Sequence, residues 1–108
     1  KMVDLSHEVS SQTPHWHGFS SLKTSTLYEL EKDGFTTHTY ELVVQYGTHV
    51  DAPIHFVKNQ RTLDTFTPED MVMLYDLCQP TGAVIFCTFP KIKNGTEFAA
   101  RCFALCPR

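Results

Sequence analysis

The chain has 108 residues, of which 42% are hydrophobic and 19% are charged. This composition is typical of one small globular domain and excludes a disordered chain. The net charge of −3 argues against a nucleic-acid partner held by a basic surface. No apolar run approaches the roughly 18 residues of a membrane span, and no signal-peptide pattern begins the sequence. We therefore expect no membrane partner. The location stays unknown, with the cytoplasm slightly favoured, because a signal could have been removed.

Charge, histidine and cysteine are distributed unevenly along the chain. Residues 1–90 contain five Lys/Arg and eleven Asp/Glu, whereas residues 91–108 contain four and one. All six histidines lie in the first 55 residues, and the cysteines all lie in the last 31, at Cys78, Cys87, Cys102 and Cys106. No C-x-x-C pair occurs, so we interpret the cysteines as buried or free thiols. Their clustering at one end disfavours a disulfide-stabilised secreted module.

The first half of the chain predicts strands joined by a long loop. Residues 2–6 favour a short strand, and residues 10–21, rich in Ser, Pro and Gly, favour a loop. Residues 25–34 fit either an exposed helix or an edge strand, followed by a turn at Asp33-Gly34. Residues 35–46 are rich in β-branched and aromatic residues and predict a strand.

A short helix and a buried strand are predicted in the second half. Thr67 can cap a helix that begins at Pro68, and the acids at 69 and 70 suit its positive end. We expect this helix to end at residues 78–82. Residues 82–89 predict a buried strand, and residues 94–96 predict a turn that is also a glycosylation sequon.

Residues 46–56, YGTHVDAPIHF, combine two histidines and an aspartate with Gly47 and Pro53. Pro53 argues against a helix. On an extended chain the side chains alternate, so one face would present a row of polar groups, Gln45, His49, Asp51 and His55.

Spacing separates the roles within this row. Residues two apart on a strand have Cα atoms about 6.6 Å apart, so His49 and Asp51 can converge on one metal ion. Gln45 and His55 lie four residues further out and would join only if the chain bends, at Gly47 on one side and Ala52-Pro53 on the other. His55 is better placed as a neighbouring base or as a ligand to a second ion.

The sequence GTHVDAPIHF resembles the signature of a family of metal-dependent hydrolases, the cyclase family, which includes bacterial kynurenine formamidases and isatin hydrolases. VDLSH (3–7), TPHWHGF (13–19) and RTLDTF (61–66) are similar to that family as well. The resemblance covers residues 2–77. It implies an α/β fold of the swivelling β/β/α type, truncated and strand-rich here.

The resemblance also implies a site. His49 and Asp51, with Gln45 as a further ligand, would bind Zn²⁺ or Mn²⁺, and His55 would be the catalytic base or a second-site ligand. Trp16 and Phe56 would line the substrate pocket. The implied reaction opens an amide C–N bond, in an aryl formamide such as N-formylkynurenine or a cyclic amide such as isatin, by attack of a water that the ion activates.

Two departures from the family pattern bear on these expectations. Gln45 stands where the family has its first histidine. Because an amide oxygen is a poorer ligand for Zn²⁺ than an imidazole, this departure favours Mn²⁺ as the ion, a site with a single metal, or a site that binds metal more weakly. Family members are also about twice as long and carry a later His and Glu, whereas nothing around Glu97 resembles them. We therefore separate residues 1–77, the cyclase-like part, from residues 78–108, a tail that is either frame-shifted or a divergent strand and turn.

Two functions remain open at this stage, the hydrolase and a metal-binding or oligomerising remnant without turnover. An incomplete domain exposes apolar surface, so we expect a homo-oligomer. Among the other histidines, we interpret His15 and His17 as solvent-facing loop residues, His38 as structural, and His7 as an anchor for the first strand.

Overall fold

The computed structural model describes residues 1–75 and 82–107, which form eight strands in three sheets. The strands are β1 (Met2–Asp4), β2 (Lys23–Tyr28), β3 (Thr37–Glu41), β4 (His49–Asp51), β5 (Val72–Tyr75), β6 (Ala83–Thr88), β7 (Glu97–Ala99) and β8 (Arg101–Leu105). The α-helix α1 spans Leu30–Asp33, and 3₁₀ helices span Pro53–His55, Leu63–Thr65 and Pro68–Met71. No helix in this described part of the chain is long and apolar enough to cross a bilayer.

The largest sheet has the strand order β1-β8-β6-β5 and is antiparallel throughout. Its central strand β6 alternates apolar side chains between its two faces, and Ala83 and Cys87 on one face are buried. On the other face Phe86 stacks on its cross-strand partner Phe103 with ring centroids 5.1 Å apart. The sheet thus joins strands from the predicted tail to strands β1 and β5 from the cyclase-like part.

Two smaller sheets complete the fold. Strands β2 and β3 form an antiparallel ribbon, with a register irregularity between Thr26 and Tyr28. The motif strand β4 pairs antiparallel with β7, so that His49 faces Ala99 and Asp51 faces Glu97. The tail therefore supplies the strand against which the histidine motif is held.

The buried core is small and includes residues of the motif as well as of the large sheet. Tyr46 and Leu63 are the largest fully buried side chains, and Ala52, between them in sequence, is 1% exposed. The Tyr46 hydroxyl donates to the Ser10 carbonyl and accepts the Leu22 N–H, both at 3.1 Å. The loop before β2 is thereby fastened to the start of the motif.

Much of the predicted secondary structure is confirmed. Strands β1 and β6, the loop over residues 10–21 and the turn at residues 94–96 occur where the sequence indicated them. The ambiguous residues 25–34 contain the end of β2 and then α1, which Gly34 closes with a φ of 79°. The strand-rich character is thus confirmed.

Three predictions of element length and shape are wrong. The strand over 35–46 stops at Glu41. The helix that begins at Pro68 is a 3₁₀ helix that ends at Met71, and β5 follows it because Val72 takes an extended backbone. The extended conformation predicted for residues 45–55 is limited to β4. The predicted helix end at residues 78–81 and the boundary at residue 77 lie outside the described residues.

Candidate functional site

Two bends frame the motif strand, and both are at the positions that the sequence indicated. Gly47 has a φ of 68°, which a residue with a side chain rarely adopts. A Cβ atom at Gly47 would lie 2.7 Å from Thr13 Cγ2. At the other end, Pro53 begins a 3₁₀ helix that ends at His55, because its fixed φ suits the first helical position. His55 therefore leaves the line of the strand.

His49 and Asp51 point to the same side of β4, as the alternation of a strand requires. His49 Nε2 lies 3.8 Å from Asp51 Oδ1, and the two side chains are 31% and 29% exposed. The Nδ1 atom of His49 is 2.8 Å from the Gly47 carbonyl oxygen. Because a carbonyl only accepts, Nδ1 carries the proton and Nε2 presents its lone pair towards Asp51.

Gln45 also reaches this side of the strand. Its amide Nε2 lies 3.4 Å from Asp51 Oδ1, at the long end of hydrogen-bonding distances. The amide group therefore faces the carboxylate with its donor nitrogen and not with its carbonyl oxygen. In this orientation Gln45 acts as a partner of Asp51, and a role as metal ligand would require the amide to turn over.

His55 forms a carboxylate–imidazole pair with Glu97. The His55 Nδ1 atom is 3.0 Å from Glu97 Oε2, and the side chains are 23% and 14% exposed. The carboxylate accepts the Nδ1 proton, which leaves the His55 Nε2 atom free to accept another. Sequence reasoning missed Glu97. It follows a turn in a short alternating run, but nothing local says which strand it will pair with.

Glu97 is held in place by a ladder of main-chain bonds. The Ala52 N–H donates to the Thr96 carbonyl and the Ala100 N–H to the Thr48 carbonyl, both at 2.8 Å, so β4 and β7 are paired at each end. The Leu63 N–H donates to the Gly95 carbonyl at 2.9 Å. Because Glu97 faces Asp51 in this register, the His55–Glu97 pair adjoins the His49–Asp51 pair.

These side chains fit part of a metal site. Two atoms bound to one ion at about 2.0–2.2 Å can be at most about 4.4 Å apart, and His49 Nε2 and Asp51 Oδ1 satisfy that condition. Imidazole and carboxylate donors suit Zn²⁺ and Mn²⁺. Within residues 1–75 and 82–107, however, no three His, Cys, Asp or Glu side chains are grouped to hold an ion. The pair therefore fits one edge of a coordination shell.

Sequence comparison places the chain among known families. A family model described as "Putative cyclase" matches residues 3–84. This match covers three quarters of the chain and includes the whole histidine motif. The chain belongs to the cyclase family. No curated protein matches it at a significant level of similarity.

In this cyclase-family chain, the two aromatic residues predicted to line a substrate pocket are both exposed. Trp16 is 59% exposed and contacts its loop neighbours His17 and Phe19. Phe56 is 77% exposed, and its ring meets the His55 ring at 4.3 Å in an edge-on arrangement. Phe56 thus borders the His55–Glu97 pair, whereas the contacts of Trp16 lie within its own loop.

The remaining histidines of the cyclase-family chain have separate surroundings. His15 is half-buried and stacks on Tyr46 at 4.6 Å, so the prediction of a solvent-facing ring is wrong for His15, while His17 is exposed. The backbone N–H of His7 donates to Thr48 Oγ1 at 2.9 Å, which ties the segment after β1 to the motif. His38 is exposed on β3, 3.4 Å from Thr26 Oγ1.

Proposed function

We propose that this cyclase-family chain is a metal-dependent hydrolase that opens an amide C–N bond. The observation that carries the proposal is the adjacency of two pairs, His49–Asp51 and His55–Glu97, through the register of β4 and β7. One pair suits a divalent cation and the other suits proton transfer. The proposed substrates are aryl formamides such as N-formylkynurenine and cyclic amides such as isatin.

His55 is the proposed general base. Glu97 fixes its tautomer by accepting the Nδ1 proton, as a carboxylate does for a catalytic imidazole. The His55 Nε2 atom then takes a proton from the attacking water and passes it to the leaving nitrogen. Phe56, edge-on to the His55 ring, restricts the rotation of the imidazole and offers an apolar surface to an aryl group. Trp16 is proposed as a second aryl contact from its loop.

His49 and Asp51 would hold the ion, which when bound polarises the amide carbonyl as a Lewis acid. The Gly47 carbonyl accepts the proton on His49 Nδ1, which leaves the Nε2 lone pair available for the ion. Gln45 would contribute its carbonyl oxygen only after the amide turns over, and an oxygen donor is a better ligand for Mn²⁺ than for Zn²⁺. Mn²⁺ is therefore the favoured ion if Gln45 takes part.

Metal titration combined with an assay tests the proposal. The full chain is titrated with Mn²⁺ and with Zn²⁺ by calorimetry, and hydrolysis of N-formylkynurenine and isatin is then measured with each ion. We expect stoichiometric binding that His49→Ala and Asp51→Ala both remove. His38→Ala is the matched control, since it removes an exposed imidazole from β3 and should leave binding unchanged. No binding by the parent chain would contradict the proposal.

Glu97→Gln separates the role of the carboxylate from that of the metal pair. The substitution keeps the volume of the side chain but removes its negative charge, and the amide can face the His55 ring with either its oxygen or its NH2 group, so it no longer fixes one tautomer. We expect kcat to fall by about 10- to 100-fold with metal affinity unchanged, and His55→Ala to lower kcat by about 10²–10⁴. A nitrogen NMR spectrum of the His55 ring should show Nδ1 protonated in the parent chain and a mixture of tautomers in Glu97→Gln, whether or not turnover is detected.

A remnant that binds metal without turnover is the second candidate. It is favoured by the presence of only two grouped ligands, His49 and Asp51, among the described residues. Tight binding with no hydrolysis of either substrate would support this second candidate and contradict the first.

A further inference from the structure

Cys87 and Cys102 lie opposite each other on the two central strands of the large sheet. They are register partners on β6 and β8, and their Sγ atoms are 3.1 Å apart. Cys87 is 8% exposed and Cys102 is half-buried, and both are present as thiols. Neither residue belongs to the proposed hydrolase site.

The backbone hydrogen bonds of Cys102 show whether Cys87 and Cys102 are a hydrogen-bonded or a non-hydrogen-bonded pair of the antiparallel sheet. The Cys102 carbonyl accepts the Leu5 N–H at 2.9 Å, and the Cys102 N–H donates to Ser6 Oγ at 2.7 Å. Both main-chain groups therefore turn towards the β1 side of β8 and away from β6. Cys87 and Cys102 consequently form a non-hydrogen-bonded pair, in which the Cα atoms are about 4.5 Å apart.

That separation is within the range of disulfides, whose Cα atoms are usually about 4.4–6.8 Å apart. The sulfur atoms must approach by about 1 Å to reach the bonded distance of about 2.05 Å. Cys106 lies four residues after Cys102 and is not opposite Cys87. Next to Cys106, Leu105 of β8 pairs with Val84 of β6, three residues from Cys87. We propose that Cys87 and Cys102 are an intramolecular thiol-oxidation site that forms a reversible cross-strand disulfide.

Oxidised glutathione, a low-molecular-weight disulfide, is a sufficient oxidant. The more exposed Cys102 attacks it as the thiolate, releases one glutathione and becomes a mixed disulfide. Cys87 then loses its proton to solvent, attacks the Cys102 sulfur and releases the second glutathione. Two protons and two electrons thus leave the protein, and one glutathione disulfide becomes two thiols. Burial raises the pKa of the Cys87 thiol to about 12, so Cys87 suits the second role and not the first.

The disulfide would close a loop that contains β7. Residues 88–101 connect the two cysteines and carry Glu97 and the Ala100 N–H that bonds Thr48. Closing a loop of this length restricts the unfolded chain, so the midpoint of thermal unfolding should rise by about 10 °C on oxidation. Amide exchange at Ala100 should slow in the oxidised chain.

Mass spectrometry of the full chain in glutathione buffers tests the proposal. The double variant Cys78→Ser/Cys106→Ser is used because it keeps only Cys87 and Cys102, and tryptic cleavage at Lys91, Lys93 and Arg101 then separates these two residues. We expect the oxidised variant to lose two hydrogen atoms, to remain monomeric by non-reducing electrophoresis and to yield a peptide pair linked through Cys87 and Cys102. The matched control, Cys78→Ser/Cys102→Ser, should take up one glutathione or none.

A repeat in concentrated urea distinguishes folded geometry from chance pairing. The alignment of β6 and β8 should make closure roughly tenfold or more faster in buffer than in urea. Equal rates in the two solvents, intermolecular dimers in place of the internal bond, an unchanged mass, or an unchanged unfolding midpoint would each overturn the proposal. Because the reduced and oxidised forms of the same double variant are compared, each rate and midpoint has its reference in an identical sequence.

Discussion

Gly47 stands at the start of the site, and two independent constraints act on it. Its φ of 68° is in the left-handed region, which costs a residue with a side chain roughly 1–2 kcal/mol. Thr13 Cγ2 occupies the space that a Cβ atom would need, at 2.7 Å. The same residue offers its carbonyl oxygen to His49 Nδ1, so a shift of Gly47 would disturb the proposed ligand pair, His49 and Asp51, directly.

We expect Gly47→Ala to lower the free energy of unfolding by about 2–4 kcal/mol, as the sum of backbone strain and overpacking. Gly34→Ala is the matched control. Its φ is 79°, but no atom lies within 4 Å of the position its Cβ atom would take, so it should cost only the strain. Urea unfolding of both variants measures the difference.

A second substitution tests the steric part of this argument. Thr13→Ser removes Cγ2 and keeps the hydroxyl group that bonds Ser10 N–H and the Glu8 carbonyl, both at 2.7 Å. The Gly47→Ala/Thr13→Ser double variant should therefore recover about 1 kcal/mol relative to Gly47→Ala. If it recovers nothing, the contact with Thr13 is not what excludes a side chain at Gly47.

Local pattern was sufficient to predict where some of the candidate site residues lie, and not where others lie. His49 and Asp51 share a face because they are two residues apart on a strand. The bends at Gly47 and Pro53 could be predicted because these residue types commonly end or interrupt strands. Glu97 lies 42 residues from His55, and its place depends on which strands pair. Strand pairing at that separation is set by the whole sheet and not by neighbouring residues, so the sequence alone could not reveal it.

At the scale of elements, the segment from Arg61 to Asp70 is closed by one ion pair. Arg61 Nη2 lies 2.7 Å from Asp70 Oδ2, and the guanidinium also stacks over the Phe66 ring at 4.7 Å. The Asp70 carboxylate accepts the Thr67 N–H at 2.7 Å, which caps the 3₁₀ helix Pro68–Met71. The Arg61 hydrogen bonds, followed by that of Thr67, hold the pKa of Asp70 well below its ordinary value of 3.8.

Acid should therefore weaken this segment. Because the folded pKa of Asp70 is below its unfolded value, the stabilisation is present above about pH 4 and is lost as pH falls through the folded pKa. We expect Asp70→Asn to lower the unfolding midpoint near neutral pH, with a difference from the parent chain that shrinks below pH 4. Circular dichroism melts across pH 2–7 measure this, with Glu31→Gln on α1 as the control. A constant difference across that range would contradict the prediction.

The same segment shows why one predicted helix was too long. The sequence predicts a helix start at Thr67, Pro68 and the two acids that follow, and a 3₁₀ helix does begin at Pro68. The sequence offers no stop signal before residue 78, yet the chain leaves the helix at Val72 because β5 pairs with β6. Sheet pairing overrides a helical start of one turn, since a single turn gains little by itself.

At the scale of the whole molecule, the described chain leaves much apolar surface in water. Among the residues whose burial the structure describes, fourteen large apolar side chains are exposed, and Tyr46 and Leu63 are the largest that are fully buried. The radius of gyration is 16.8 Å, against about 13 Å for a compact domain of this length. Such a surface is typical of a chain that associates, and the homo-oligomer stays a prediction.

We expect self-association to increase with protein concentration and to persist at high salt, because the exposed groups are apolar and not charged. Sedimentation velocity across a hundredfold concentration range measures it, at low salt and again in 1 M NaCl. A monomer at every concentration, or association that salt abolishes, would contradict this expectation.

The pairing of β4 with β7 also has a consequence for how the chain is made. A ribosome adds about 5–20 residues per second, so some 2 to 10 seconds separate the synthesis of Asp51 from that of Ala99, the end of its partner strand. During that interval the nascent motif strand has no β7 to pair with. Newly made chains would therefore depend on chaperones more heavily than the size of the protein suggests, and translational pausing before residue 97 would lengthen their exposure.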